Sequence, residues 1–301
     1  MEGAGVRLKR AFPHGNELLF DPFLLLDDFG SDNPADYLAG FPWHPHRGIE
    51  TVTYILRGAV SHGDSIGNSG TIGDGDVQWM TAGSGIVHQE MPVKTEGRTR
   101  GFQLWVNLPA AHKMMAPRYR DVRAGTIPLV APEKGVEIRL ISGKAGNTAG
   151  PVTDIVVEVE YMDVSLQAGI SWKKHFPPGR SSIIYMVSGM LDLTRFPAGG
   201  IASSVESESL VHLKDSTTFE TKAGPAGARF LLASGVPIGE PVAWGGPIVM
   251  NTAEELDQAF EQLENGTFIA KPGGGKKGWP GGPALGEVSP NKGGKPRFYR
   301  N

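Results

Sequence analysis

The 301-residue sequence contains no cysteine. That excludes disulfides, thiolate metal sites and cysteine nucleophiles, so any metal must be held by imidazole and oxygen ligands. An excess of charge is also missing. Lys and Arg number 29 against 32 Asp and Glu, a formal net charge of −3, which gives no electrostatic reason to expect nucleic acid or an anionic membrane as partner. No apolar run approaches the length needed to cross a bilayer, and the first twenty residues lack the apolar stretch of a secretory signal. A cytoplasmic or nuclear protein is expected. Neither a GxGxxG after a strand nor a P-loop occurs, so no nucleotide cofactor is implied. Histidine is scarce, with eight in the chain.

What is abundant is glycine, 42 residues, set between short runs of strand formers. "IETVTYILRGAV", "VQWMTAG", "GIVHQEMPV" and "GFQLWVNLP" are β-branched and aromatic, separated by Gly, Asp, Asn and Ser clusters. That pattern predicts an all-β sandwich or barrel, with no helical periodicity between the strands. Two prolines and a Lys-Gly pair in "TIPLVAPEKG" interrupt it, and strand-like runs then resume. The reading is one barrel over residues 1–131 and a second over 132–270, weakly echoed in "TYILRGAV" and "IYMVSGML". One helix is signalled: Thr252 and Glu255 form a capping box, Leu256, Ala259, Phe260 and Leu263 share a face, and Gly266 ends it. Residues 271–301 are rich in Gly, Pro and Lys and read as a flexible tail.

"FPWHPHRGIETVTY" places His44 and His46 two apart, and "GIVHQEMP" places His88 and Glu90 likewise. On a strand, residues at i and i+2 project to one face. Two such pairs on facing strands would bring three imidazoles and a carboxylate to one point. Glu50, four residues after His46, shares that face on a regular strand, so spacing admits either acid. His62 and Asp64 in "SHGDSIGN" suit the mouth of such a site or an Asx-type turn equally. Phe41, Trp43 and Trp79 suit pocket walls or core.

"HPHRGIETVTYILRG" and "GDVQWMTAGSGIVHQEMP" resemble the two defining motifs of the pirin family, within the cupin superfamily. Asp21–Phe29, "DPFLLLDDF", and Gly239–Leu256, "GEPVAWGGPIVMNTAEEL", are similar to further pirin segments, so the resemblance runs nearly to residue 270. It implies a bicupin of two jelly-roll-type β-barrels, with one metal in the N-terminal barrel. The metal is usually Fe(II), with Mn, Ni, Cu or Zn as alternatives. Carried over by position, the ligands are His44, His46, His88 and Glu90. General cupins use the acid of the first motif, here Glu50; the match at "HQEMP" favours Glu90. Glu50 then stands behind the ligands, pairing Arg47 and orienting an imidazole.

The second barrel, with only His175 and His212 and no HxH, is expected to hold no metal, to add stability and to help wall the entrance. Two activities follow from the resemblance. One is a quercetinase-like, iron-dependent dioxygenase acting on an aromatic chelating substrate with O₂, Glu90 serving as general base. The other is a redox-sensing regulator that binds a transcription factor or metabolic enzyme. A monomer fits the family.

Overall fold

The computed structural model describes residues 2–12, 14–95, 97–193 and 204–269; the tail expected from residue 271 lies outside them. Among these residues no helix is long and apolar enough to cross a membrane. The fold is all-β, with two cupin-like units and a few short helices.

The units are not consecutive in sequence. The first takes residues 1–10, 23–124 and 238 onward, the second 11–22 and 125–237. The main crossing falls at residue 125, near the interruption read at 131. The segment from Ile238, expected in the second barrel, instead returns to the first. The reason is backbone pairing: the Val249 N–H donates to the Arg47 carbonyl at 3.1 Å, beside a parallel bridge between Arg47 and Ile248. Gly48 makes the approach feasible, having φ +77° and the Val249 carbonyl oxygen only 1.9 Å from where a Cβ would stand.

Among the described residues, ten strands form the two larger sheets of the first unit. They are β1 Leu8–Arg10, β2 Phe23–Ser31, β3 Phe41–His46, β4 Ile49–Arg57, β5 Ala59–Asp64, β6 Ser69–Ile72, β7 Val77–Thr81, β8 Ile86–Val93, β9 Thr99–Asn107 and β10 Arg118–Val122. One sheet runs β1-β2-β9-β4-β7-β10 and the other β3-β8-β5-β6. Strand β4 explains the layering. Ile49, Thr51, Thr53 and Ile55 alternate onto one face, and Glu50, Val52 and Tyr54 onto the other. Ile55 joins Phe29, Val60 and Ile72 in an apolar cluster that links the two sheets. Ile49 joins a second cluster with Met80, Ile86, Trp105 and Val249. The polar residues Thr51 and Thr53 lie between those two isoleucines on the same face.

The helix falls at Ala253–Glu264, with both capping-box bonds formed. Leu256, Ala259 and Leu263 bury against Ile248, Met250 and Phe268, which seats the helix on the returning segment.

Among the described residues of the second unit, eight antiparallel strands join in one sheet. Trp172, Phe176, Met186, Phe219, Phe230 and Leu232 belong to one large buried cluster there. Aromatic and aliphatic side chains thus fill the interior of this unit, in contrast to the histidines and carboxylate of the first.

Candidate metal centre

Strands β3 and β8 pair antiparallel, with His44 directly opposite His88 and His46 opposite Ile86. Further along, Phe41 opposes Glu90. Three residues on β3 therefore span two on β8, a bulge at Pro42–Trp43 that re-aims the strand next to the histidines. Proline suits it, having no N–H to pair. The three imidazole centroids stand 4.4 Å (His44–His88), 4.8 Å (His44–His46) and 5.0 Å (His46–His88) apart. One nitrogen from each lies within 4.8 Å of the others. The pairing of β3 with β8 thus gathers His44, His46 and His88.

Backbone carbonyls fix two of the rings. His44 Nδ1–H donates to Pro42 O at 2.8 Å, and His46 Nδ1–H to Pro247 O at 3.1 Å. A carbonyl can only accept, so each Nδ1 carries the proton and each Nε2 keeps a lone pair. His46 Nε2 and both ring nitrogens of His88 are buried with no hydrogen-bond partner among the described residues. Leaving buried polar atoms unpaired costs about 1–3 kcal/mol each. Burial pushes His46 and His88 well below the usual imidazole range, reinforced by the neighbouring imidazoles. His44, half-buried with its ring enclosed by Phe41, His46 and His88, is lowered by burial to about 4, against its bond to Pro42. All three are neutral at pH 7. Three neutral nitrogen donors with unengaged lone pairs fit a divalent ion of the iron-to-zinc series.

Glu90 sits apart from this group and is not among the atoms gathered within 4.8 Å. It is 3% exposed and flanked by Phe41 on β3 and His62 on β5. Its Oε1 accepts from Thr53 Oγ1 at 2.9 Å and its Oε2 from Gln103 Nε2 at 2.9 Å. Burial raises its pKa, partly offset by those two bonds. Beside it is a cavity of about 20 Å³, walled by Phe29, Phe41, Val60, Thr53, Gln103 and Asp27. That volume is about enough for one water molecule.

Glu50 is turned away. It lies on the face of β4 opposite Thr53, where its carboxylate accepts from Thr81 Oγ1 at 2.6 Å and Trp79 Nε1 at 3.2 Å. Arg118 stands 4.0 Å off. Burial raises its pKa against those hydrogen bonds. The expected Arg47–Glu50 pair is not formed, because strand alternation sends them to different neighbours. Arg47 instead donates at 2.8 Å to Ser84 O, Gln262 Oε1 and Phe268 O, with its guanidinium 4.1 Å from the Phe268 ring centroid. Nor does Glu50 orient an imidazole; the carbonyls of Pro42 and Pro247 do.

Of the remaining sequence candidates, Asp64 is absorbed by an Asx-type turn, accepting from the N–H groups of Ile66 and Asn68 at 2.9 Å each. His62 is buried, with Nδ1 2.7 Å from the Tyr119 hydroxyl. His175 is exposed, its Nδ1 3.1 Å from Thr218 Oγ1. His212 is half-buried, its Nε2 3.3 Å from Ser181 Oγ and its ring against Phe20.

Sequence reasoning missed Thr53, Gln103, Trp105, Lys113 and Pro247. Trp105 stands edge-on to His46, ring centroids 5.0 Å apart. Lys113 is 1% exposed. Its Nζ donates to Gly48 O at 2.9 Å, Asn107 Oδ1 at 2.7 Å and Val249 O at 3.1 Å. It thereby ties the end of the HPHRG motif to the returning segment that carries Pro247. Thr53, Gln103 and Trp105 carried one signal, polar or aromatic residues on the face that alternation turns to the interior.

Comparison with known proteins extends this picture. The family profile described as Pirin matches residues 5–106, and that described as Pirin C-terminal cupin domain matches residues 161–269. A "Pirin-like protein" of Caulobacter vibrioides is 46% identical over 268 residues, covering 89% of this chain and 94% of that relative. "Pirin" of Homo sapiens is 39% identical over 276 residues, covering 90% and 91%. The crystal structure of a quercetin 2,3-dioxygenase from Acinetobacter baumannii matches with a TM-score of 0.80 at 32% identity, over 89% of this chain and 93% of that one.

Proposed function

The chain belongs to the pirin family, and on that premise we propose that it is a non-haem iron protein that opens flavonol-like chelating substrates with O₂, in the manner of a quercetin 2,3-dioxygenase. The observation that carries this reading is the trio of buried, neutral imidazoles whose ligand atoms lie within 4.8 Å of one another. Bound there, Fe(II) would supply a Lewis-acidic centre at which a chelating enolate and O₂ meet.

His44, His46 and His88 hold the ion in this reading, and Glu90 is the fourth ligand. Moved off the ion, the Glu90 carboxylate would be the general base that accepts the proton of the substrate 3-hydroxyl. A three-ring flavonol cannot enter a cavity of about 20 Å³. It approaches from the half-exposed edge at His44, with the half-buried Trp43 beside it. The place of action is the cytoplasm. An anaerobic solution of the protein with one iron per chain, mixed with quercetin and then exposed to air, is expected to lose the flavonol absorbance and release carbon monoxide. No oxygen-dependent loss from protein of verified iron content would overturn the reading.

A second reading is favoured by Arg47, whose buried guanidinium links the residue after His46 to Gln262 and the Phe268 carbonyl. Burial lowers its pKa to about 10. A one-unit change of charge at the histidines would be felt through this network at the C-terminal helix, as a redox-dependent partner surface requires. Equal partner binding by the ferrous and ferric forms in a titration would remove this second role.

A further inference from the structure

The hydrogen bonds around Glu90 run in one direction only. The Trp105 indole N–H can donate but not accept, and it reaches Gln103 Oε1 at 2.9 Å. That fixes the amide, so Gln103 Nε2 faces Thr53 Oγ1 at 3.1 Å and Glu90 Oε2 at 2.9 Å. Thr53, accepting from Gln103, gives its own proton to Glu90 Oε1 at 2.9 Å. Each carboxylate oxygen therefore receives a hydrogen bond from a strand of the six-stranded sheet. The same carboxylate lies outside the group of ligand atoms within 4.8 Å of one another.

We infer that Gln103 is a positioning residue: locked by Trp105 and aided by Thr53, it holds the Glu90 carboxylate in a cradle displaced from the three imidazoles, in competition with a bound metal. This rests on the reading that the histidines bind a metal with Glu90 as fourth ligand. Hydrogen bonds to a charged group are the stronger ones, and here they offset the burial of the carboxylate. Glu90 must give up one or both to move toward the ion. Removing the Gln103 donor thus weakens the cradle and leaves the ligands intact, so metal binding tightens. A glutamine that merely supported the fold would, when removed, weaken metal binding or leave it unchanged.

Cobalt(II) titration of the full-length protein, with the visible cobalt bands as a second readout, tests this. Gln103→Leu is expected to bind cobalt about tenfold more tightly, the worth of one hydrogen bond to a charged group, with weaker bands as the coordination number rises. Glu90→Gln is expected to bind less tightly. The double variant should match Glu90→Gln alone, since the cradle then has no carboxylate to hold. Should Gln103→Leu not fold, Thr53→Val removes the other donor at nearly constant shape and should also tighten binding. Affinity at or below wild type in the folded variants, with Glu90→Gln still weakened, overturns the cradle. Wild-type affinity and bands in Glu90→Gln remove Glu90 from the ligand set, and with it the ligand reading on which the cradle depends.

Discussion

Three imidazoles packed against one another have a consequence for stability before any metal is considered. In the unfolded chain they take up protons near the ordinary value of 6.5, whereas in the folded protein His44 does so only at about 4 and the other two lower than usual. Between those limits the unfolded state binds more protons, so stability falls as pH drops below 6.5. Each buried imidazole contributes up to about 1.4 kcal/mol per pH unit. Urea unfolding with chelator present is expected to show a steeper loss from pH 7 to pH 5 in the wild type than in His88→Leu. Lys113 works in a different window. Burial lowers its pKa from 10.5 to about 7, against the pull of Glu240 and Glu255. From about pH 7 to 10.5 the unfolded state again holds the extra proton, and stability rises with pH there. In Lys113→Met that rise should disappear from the same unfolding curves; an unchanged slope would place its origin elsewhere.

Elements bring these residues together through backbone rules that the sequence shows only in part. Strand alternation made the approach of His44, His46 and His88 legible; it did not show that the Glu90 carboxylate, on the same face as His88, lies outside their group. The same alternation, read through Gly48, would have misplaced Glu50: the motif bends between β3 and β4, so Glu50 does not continue the face of His44 and His46. The orienting carbonyl of Pro247 was not legible, lying 201 residues from His46. No local pattern announces a segment that returns across such a distance. Gly48 is the point where this return is tested. A Cβ there would meet the Val249 carbonyl at 1.9 Å, on a backbone with φ +77°. Gly67, with φ +101°, has nothing within 4 Å. Gly67→Ala is expected to cost about 1–3 kcal/mol from its backbone alone. Gly48→Ala should cost more in denaturant titrations and also lower metal affinity, because Pro247 and Lys113 lose their register. The helix that closes the returning segment has its own handle. Thr252→Ala removes one half of the capping box and is expected to cost about 0.5–2 kcal/mol by the same measurement.

For the whole molecule, the two-unit plan was legible in the repeated strand-and-glycine pattern. The exchange of residues 11–22 and of the segment from Ile238 was not, because it depends on pairing that composition does not record. The two interiors also differ in kind. The second is filled by an aromatic and aliphatic cluster, and its buried Arg180 finds partners in Ser234 Oγ and the Ser234 carbonyl. The first leaves imidazole nitrogens unpaired in its interior, so part of its stability waits on a ligand. A ligand that binds only the folded state raises unfolding free energy as RT ln(1 + [L]/Kd), about 2.7 kcal/mol at a hundredfold excess over Kd. Calorimetry with increasing Fe(II), kept anaerobic, is expected to raise the transition that reports the first unit and to leave the second unit's own transition in place. His46→Ala should abolish the shift and His212→Ala should not. A shift that survives His46→Ala, or one that follows His212, would move the metal away from the three histidines of β3 and β8.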